Sequence, residues 1–171
     1  MTIQEAIEEA TTKLNRAGIQ SPKLKARLIM QFILDKTRQY IIVNDLLKLE
    51  EKQEEQYFNE IDKIEKGYPI EHITHQKEFM KLSFFVDENV LIPRQDTEIL
   101  VEEVIEISKK INSKKILDLC TGSGAIGVSL AKYLPNCEIT AVDISKKALQ
   151  IAKKNAIINE VEKQITFISS D

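Results

Sequence analysis

Residues 118 to 127 read "DLCTGSGAIG", in which Asp118 precedes Gly122, Gly124 and Gly127, a full G-x-G-x-x-G. Such a run lets a chain turn tightly and approach a ligand with bare backbone, and the free N–H groups of the following helix then receive a pyrophosphate. Two more acids stand at comparable places, Asp143 closing "CEITAVD" and Asp171 following "ITFISS". Asp143 suits the ribose hydroxyls of any nucleoside cofactor and does not discriminate. Asp118 does, because a carboxylate at the mouth of the turn repels pyrophosphate and favours a ligand carrying ammonium and sulfonium centres. S-adenosylmethionine is such a ligand. Gly122 and Gly124 then admit its methionine and ribose portions, and Asp171 is placed to accept from the adenine amino group. Each acid alone could be a solvated strand end, but their recurrence at three successive strand ends favours a site.

The elements that must position these residues alternate. "KILDL" (115 to 119) reads as a short buried strand, 124 to 133 as a helix rich in small residues, and "CEITAVD" (137 to 143) as a second strand. A helix over 145 to 158 and a strand "ITFIS" (165 to 169) follow. Strand and helix in alternation predict a parallel, Rossmann-like α/β sheet with its ligand at the carboxyl ends of the strands. A helix from Thr97 to Lys110, with Ile99, Leu100, Val104, Ile105 and Ile107 as its apolar positions, leads in through the loop "INSKK".

Upstream the texture is different. Ile3, Ala6, Ile7, Ala10 and Leu14 recur at helical spacing, with Gly18 as a stop. Ser21 and Pro22 look like an N-cap and first helical residue, and Leu24, Leu28, Ile29, Phe32 and Ile33 predict the buried face of a second helix. A short helical piece from Tyr40 to Leu47 and a charged helix from about Glu50 to Lys66, ended by Gly67 and Pro69, complete a small all-α bundle. The run "EEKQEEQ" is read as a solvated helix face. In "FMKLSFFVDENVLIPR" aromatic and β-branched runs are separated by Asp87, Glu88 and Asn89, which predicts a β-hairpin or two short strands linking the bundle to the α/β part.

Composition narrows the partners. The chain has 24 basic and 27 acidic side chains, net charge -3, which gives no general reason to expect nucleic acid or a membrane. Lys146, Lys147, Lys153 and Lys154 are read as solvating their helix. Cys120 and Cys137 form no paired framework, His72 and His75 in "HITH" are read as surface or packing residues, and no metal site is expected. With no membrane-length apolar run and an acidic amino terminus, the protein is expected to be soluble and cytoplasmic.

"LDLCTGSGAIGVSLA" and "ITAVDIS" alone indicate a class I methyltransferase. Together with "VLIPRQDTEILVE", whose Pro93 to Glu98 resembles the "PRPxTE" of one family, they resemble the protein-glutamine N5-methyltransferases that modify peptide chain release factors, the PrmC or HemK family. The resemblance spans essentially the whole chain. It implies a helical substrate-recognition domain (1–67), a linker with a hairpin (68–93) and part of an S-adenosylmethionine-binding domain (94–171). It implies further that Cys120, Thr121, Gly122, Ser123 and Gly124 surround the methyl donor, that Asp143 holds its ribose, and that Asp118 and Asp171 are weaker members of the site. Arg94 and Thr97 are candidates for shaping the pocket from the linker, and S-adenosylhomocysteine is the expected product.

The chain departs from the family pattern in three places. Gln95 replaces a proline, and His75 stands where "GxxEF" begins with glycine. The catalytic "NPPY" occurs nowhere in the 171 residues, so the chain is expected to be an inactive amino-terminal portion with at best weak cofactor affinity, whose bare first strand invites self-association or a poorly ordered cofactor loop. A nucleic-acid base amino-methyltransferase and a non-catalytic helical binding module are the alternatives.

Overall fold

The computed structural model describes residues 1–112 and 114–171; Ser113, within the loop expected before the first parallel strand, lies outside them. The chain divides into two compact units, Met1–Thr74 and His75–Asp171.

The first unit is helical: α1 (Ile3–Arg16), α2 (Pro22–Leu34), α3 (Arg38–Val43), α4 (Glu51–Glu65) and α5 (Ile70–Thr74). Helix α1 begins on a capping box in which Thr2 Oγ1 accepts from Glu5 N and Glu5 accepts from Thr2 N. It buries Ile3, Ala6, Ile7, Ala10 and Leu14, as the periodicity predicts. Helix α2 starts at Pro22 as expected, but Ser21 adopts a left-handed backbone and its side chain makes no cap bond. Its inward face is also rotated from the expected one. Ala26, Ile29 and Met30 are buried, whereas Leu24, Leu28 and Phe32 are 57%, 38% and 43% exposed. The reason is close helix packing: Ala6, Ala10 and Ala26 are fully buried in one core, and the seam between α1 and α2 follows alanines instead of leucines. Tyr57 on α4 crosses that core, its hydroxyl donating to Ala26 O at 3.1 Å. Helix α3 is shorter than predicted and is capped by Thr37.

The second unit opens with the hairpin β1 (Lys77–Phe79) and β2 (Leu82–Phe84), paired Lys77 to Phe84 and Phe79 to Leu82. Its turn is Met80–Lys81, not Asp87–Asn89. Both turn residues have positive φ, 51° and 58°, as a two-residue connection requires, yet neither is Gly or Asn. Their conformation is held from outside: Met80 N donates to Glu98 Oε1 at 2.6 Å and Met80 O accepts from Tyr133 Oη at 2.6 Å. Asp87 instead closes a turn beyond the hairpin, accepting from Asn89 N at 2.8 Å. His75, at the position read as a departure from "GxxEF", has a glycine-like φ of 54°; its ring stacks on Phe85 and its Nδ1 lies 3.2 Å from Val86 O.

Then follow α6 (Asp96–Ile111), β3 (Lys115–Leu119), α7 (Ala125–Tyr133), β4 (Glu138–Asp143), α8 (Lys146–Ile158), a 3-10 turn and β5 (Ile165–Ser169), close to the predicted bounds. The strands are parallel in the order β3-β4-β5. Alternation sends Asp118, Ile139, Ala141 and Ile165 to the buried face; Leu117 and Leu119, at 58% and 64% exposed, occupy the other. On α6 the buried residues are Val101, Ile105 and Ser108, while the predicted Ile99, Leu100 and Ile107 are exposed. Among the described residues β3 pairs on one side only, so it is an edge strand with an apolar surface. Such an edge templates pairing with another chain. Light scattering is expected to show concentration-dependent association, reduced by Leu117→Lys; a monomer at all concentrations would remove the edge as its cause.

Candidate donor-binding site

The turn between β3 and α7 contains three residues with positive φ, Cys120 (59°), Gly122 (55°) and Gly124 (79°). It is tied down along its length. Thr121 N donates to Val142 O of β4 at 2.9 Å, Gly122 N to Asp143 Oδ2 at 2.8 Å, and Gly124 N to Thr121 O at 2.8 Å. Asp143, half-buried at the end of β4, also accepts from Ser145 N through Oδ1 at 2.9 Å. Each carboxylate oxygen has further lone-pair capacity, so Asp143 retains two acceptors for a diol.

The two glycines of the turn differ in function. A Cβ at Gly122 would find only Cys120 O, at 3.9 Å, so that position faces open space where a ligand can lie. At Gly124 a Cβ would lie 3.0 Å from Ala152 Cβ and 3.1 Å from Ala152 Cα, so this glycine serves the packing of the turn on α8. The absence of a Cβ at Gly124 is thus explained by α8 with no ligand present. Gly127 is constrained likewise, by Asp118 Oδ2 at 3.0 Å from a built Cβ.

Asp118 is not at the mouth. Strand alternation turns it beneath the loop, 6% exposed, where Oδ2 accepts from Thr121 Oγ1 at 2.7 Å and from Gly127 N at 3.0 Å. Gly127 is in the first turn of α7, so this carboxylate already occupies the helix N-terminus, the place where a dinucleotide's pyrophosphate is bound. Burial pushes the Asp118 carboxyl above the ordinary carboxylate range; the bonds from Thr121 and Gly127 oppose that push and the charge of Asp143 adds to it. The N-terminus of α7 thus carries an internal anion and not a repulsive rim.

The structure brings Asp118, Cys120, Thr121, Gly122, Ser123, Gly124 and Asp143 into one locality. Thr121 and Ser123 are buried, and Cys120 is exposed. Asp171 is exposed two residues past β5, at the same edge of the sheet but one strand further from the loop. In the linker motif Arg94 is exposed and Thr97 half-buried, and Glu98 is the residue whose carboxylate is used, on the hairpin turn. Sequence reasoning also missed Asn155, fully buried on α8, whose Nδ2 donates to Ser123 O at 2.8 Å. The signal was present as a lone Asn at an inward position of an apolar helix. Lys154, read as solvating, lies over the Phe85 ring at 3.2 Å from its centroid.

The PrmC N-terminal domain family matches residues 5–74, and the methyltransferase small domain family matches residues 94–171. A release factor glutamine methyltransferase of Clostridium acetobutylicum is 39% identical over 171 residues, which are 100% of this chain and 60% of that protein. One of Borreliella burgdorferi is 42% identical, over 100% of this chain and 57% of its own length. A crystal structure of an S-adenosylmethionine-dependent methyltransferase from Agrobacterium tumefaciens aligns at 23% identity and TM-score 0.46, covering 56% of this chain and 32% of that one. The chain thus spans about 60% of the length of the curated relatives it matches.

Proposed function

We propose that this chain, a member of the PrmC family that joins a PrmC N-terminal domain to a methyltransferase small domain, binds S-adenosylmethionine in its α/β unit for N5-methylation of a glutamine side chain in a peptide chain release factor. The observation that carries the donor assignment is the buried Asp118 carboxylate on the N-terminus of α7. It fills the anion position and leaves a locally negative site, which suits a sulfonium and an ammonium and disfavours a pyrophosphate. When bound, the donor supplies an electrophilic methyl group on sulfur. Asp143 receives the ribose hydroxyls, the open backbone at Gly122 lies against the donor, and Thr121 and Ser123 hold the loop in place. Asp171 is assigned to the adenine end of the site, and Arg94 and Thr97 to its linker side.

The helical unit is assigned to the protein substrate. Leu24, Leu28 and Phe32 form an exposed apolar stripe at intervals of one helical turn along α2, a surface able to take a complementary protein face. The acceptor side of the reaction needs groups that hold the amide nitrogen in line with the methyl, because its lone pair is delocalised into the carbonyl. The family supplies these from "NPPY", which is not among the 171 residues. The proposed activity is that named for the longer relatives, of which this chain spans about 60%, and the residues present here are assigned to the donor side.

A titration calorimetry experiment tests the reading. S-adenosylmethionine and S-adenosylhomocysteine are expected to bind and NAD is not; preferential binding of NAD would overturn the donor assignment. In parallel, labelled donor incubated with this chain and a release factor is expected to transfer no methyl group, while the chain still captures the factor. Methylated factor would refute the division between donor and acceptor sides.

A further inference from the structure

The hairpin and the glycine-rich turn meet on one side chain. Asn155, 0% exposed, accepts from Phe85 N through Oδ1 at 2.6 Å and donates through Nδ2 to Phe85 O at 2.9 Å and to Ser123 O at 2.8 Å. Its orientation is fixed by chemistry, since a flipped amide would set its oxygen against two carbonyls and its nitrogen against an N–H. The amide therefore pairs with Phe85 as a neighbouring strand would, and spends its second hydrogen on the loop. One helical turn on, Asn159 Nδ2 donates to Ser83 O at 2.9 Å, serving the same edge of the hairpin without touching the loop. Phe85 itself is held at its ring as well, stacked on His75 at 5.1 Å between centroids and covered by Lys154.

We propose that Asn155 is a positioning residue for the donor loop, coupling the backbone of Ser123, between Gly122 and Gly124, to the seating of the hairpin at Phe85. The inference rests on the donor-binding reading above and assigns the hairpin a part in it. The geometry that receives the donor then depends on the seating of the hairpin as well as on the loop. A loop that visits its binding geometry only part of the time binds with affinity reduced by that fraction.

Asn155→Asp removes the two donated bonds and keeps the acceptor for Phe85 N. At neutral pH its carboxylate opposes two carbonyl oxygens, and S-adenosylmethionine affinity is expected to fall by about tenfold or more. Lowering the pH protonates the acid, which regains one donor, so affinity relative to the parent chain at the same pH is expected to recover in part. Asn159→Asp, which removes the bonds to Ser83 O and to the Asn155 backbone O but none to the loop, is expected to stay within about twofold of the parent. Equal losses in both variants, or parental affinity in Asn155→Asp at neutral pH, would overturn the proposal. Should Asn155→Asp fail to fold, amide exchange in the unaltered chain decides: added donor is expected to slow exchange at Phe85 as well as at residues 121–124, and protection confined to the loop would overturn it. If the unaltered chain binds no donor, the donor reading fails and the coupling is still read without ligand. In that case Asn155→Asp is expected to speed exchange at Phe85 and at the loop together, and an unchanged loop would refute it.

Discussion

Gly124→Ala is expected to destabilise the α/β unit by about 2–5 kcal/mol without any ligand present, a left-handed backbone contributing about 1–2 kcal/mol and overpacking about 1–3 kcal/mol. The added Cβ would stand 3.0 Å from Ala152 Cβ and 3.1 Å from Ala152 Cα, and a helix backbone cannot rotate away as the tip of a long side chain can. For a domain of this size each kcal/mol lowers Tm by roughly 4–8 °C. Gly122→Ala has a comparable φ of 55° but open space around its Cβ, so only the conformational part, about 1–2 kcal/mol, is lost. Its effect is expected on binding instead, because the methyl group projects into the open space assigned above to the proposed donor. Thermal melts and donor titrations on the two variants check the division. A Gly122→Ala chain that bound S-adenosylmethionine like the parent would place the ligand elsewhere.

The same pair of residues illustrates what the sequence could convey. Strand and helix alternation from Lys115 onward was legible because short apolar runs such as "KILDL" alternate with helical stretches; which face of β3 is buried was not, since Asp118 points inward while Leu117 and Leu119 are exposed. The G-x-G-x-x-G was legible too, but not its allocation among tasks. Whether a glycine clears a ligand, a neighbouring helix or a carboxylate depends on long-range packing, here of Gly124 against Ala152 and of Gly127 against Asp118. Helix α2 misled for a related reason: ranking residues by hydrophobicity puts Leu24, Leu28 and Phe32 inside, whereas close approach to α1 selects Ala26. The hairpin turn at Met80–Lys81 had no local signal at all. Its left-handed residues are held by Glu98 and Tyr133, separated from it in sequence, so the turn chemistry is tertiary. Asn155 is the counterpart on α8: a polar residue mid-helix is ordinarily solvated, and the one sequence signal against that was its spacing from Ala148 and Ala152 on the inward face.

Asp118→Asn is expected to act on stability and on binding in opposite senses. In the unfolded chain Asp118 titrates in the ordinary carboxylate range, and in the fold burial raises it. Between the two values the folded state binds more protons than the unfolded, so stability falls as pH rises. The contribution is fully present below the ordinary range and is lost as pH climbs through the raised value. The substituted amide cannot titrate, and its carbonyl can take the place of Oδ2 toward Thr121 and Gly127. Urea unfolding from about pH 4 to about pH 8 is therefore expected to show the Asn variant gaining on the parent as pH rises, then levelling. A difference independent of pH would mean that Asp118 ionises as an exposed acid does. Binding should move the other way. Removing the internal anion weakens attraction for a cationic donor, by roughly tenfold for a charge about 12 Å away at an effective dielectric of about 20. It also leaves the N-terminus of α7 without its counter-charge, so inorganic phosphate or a nucleoside diphosphate is expected to bind the variant better than the parent. On the donor reading proposed above, that exchange of preference is the expected consequence of placing the carboxylate on the helix, since Asp118 Oδ2, bonded to Gly127 N, holds the position a phosphate would otherwise take.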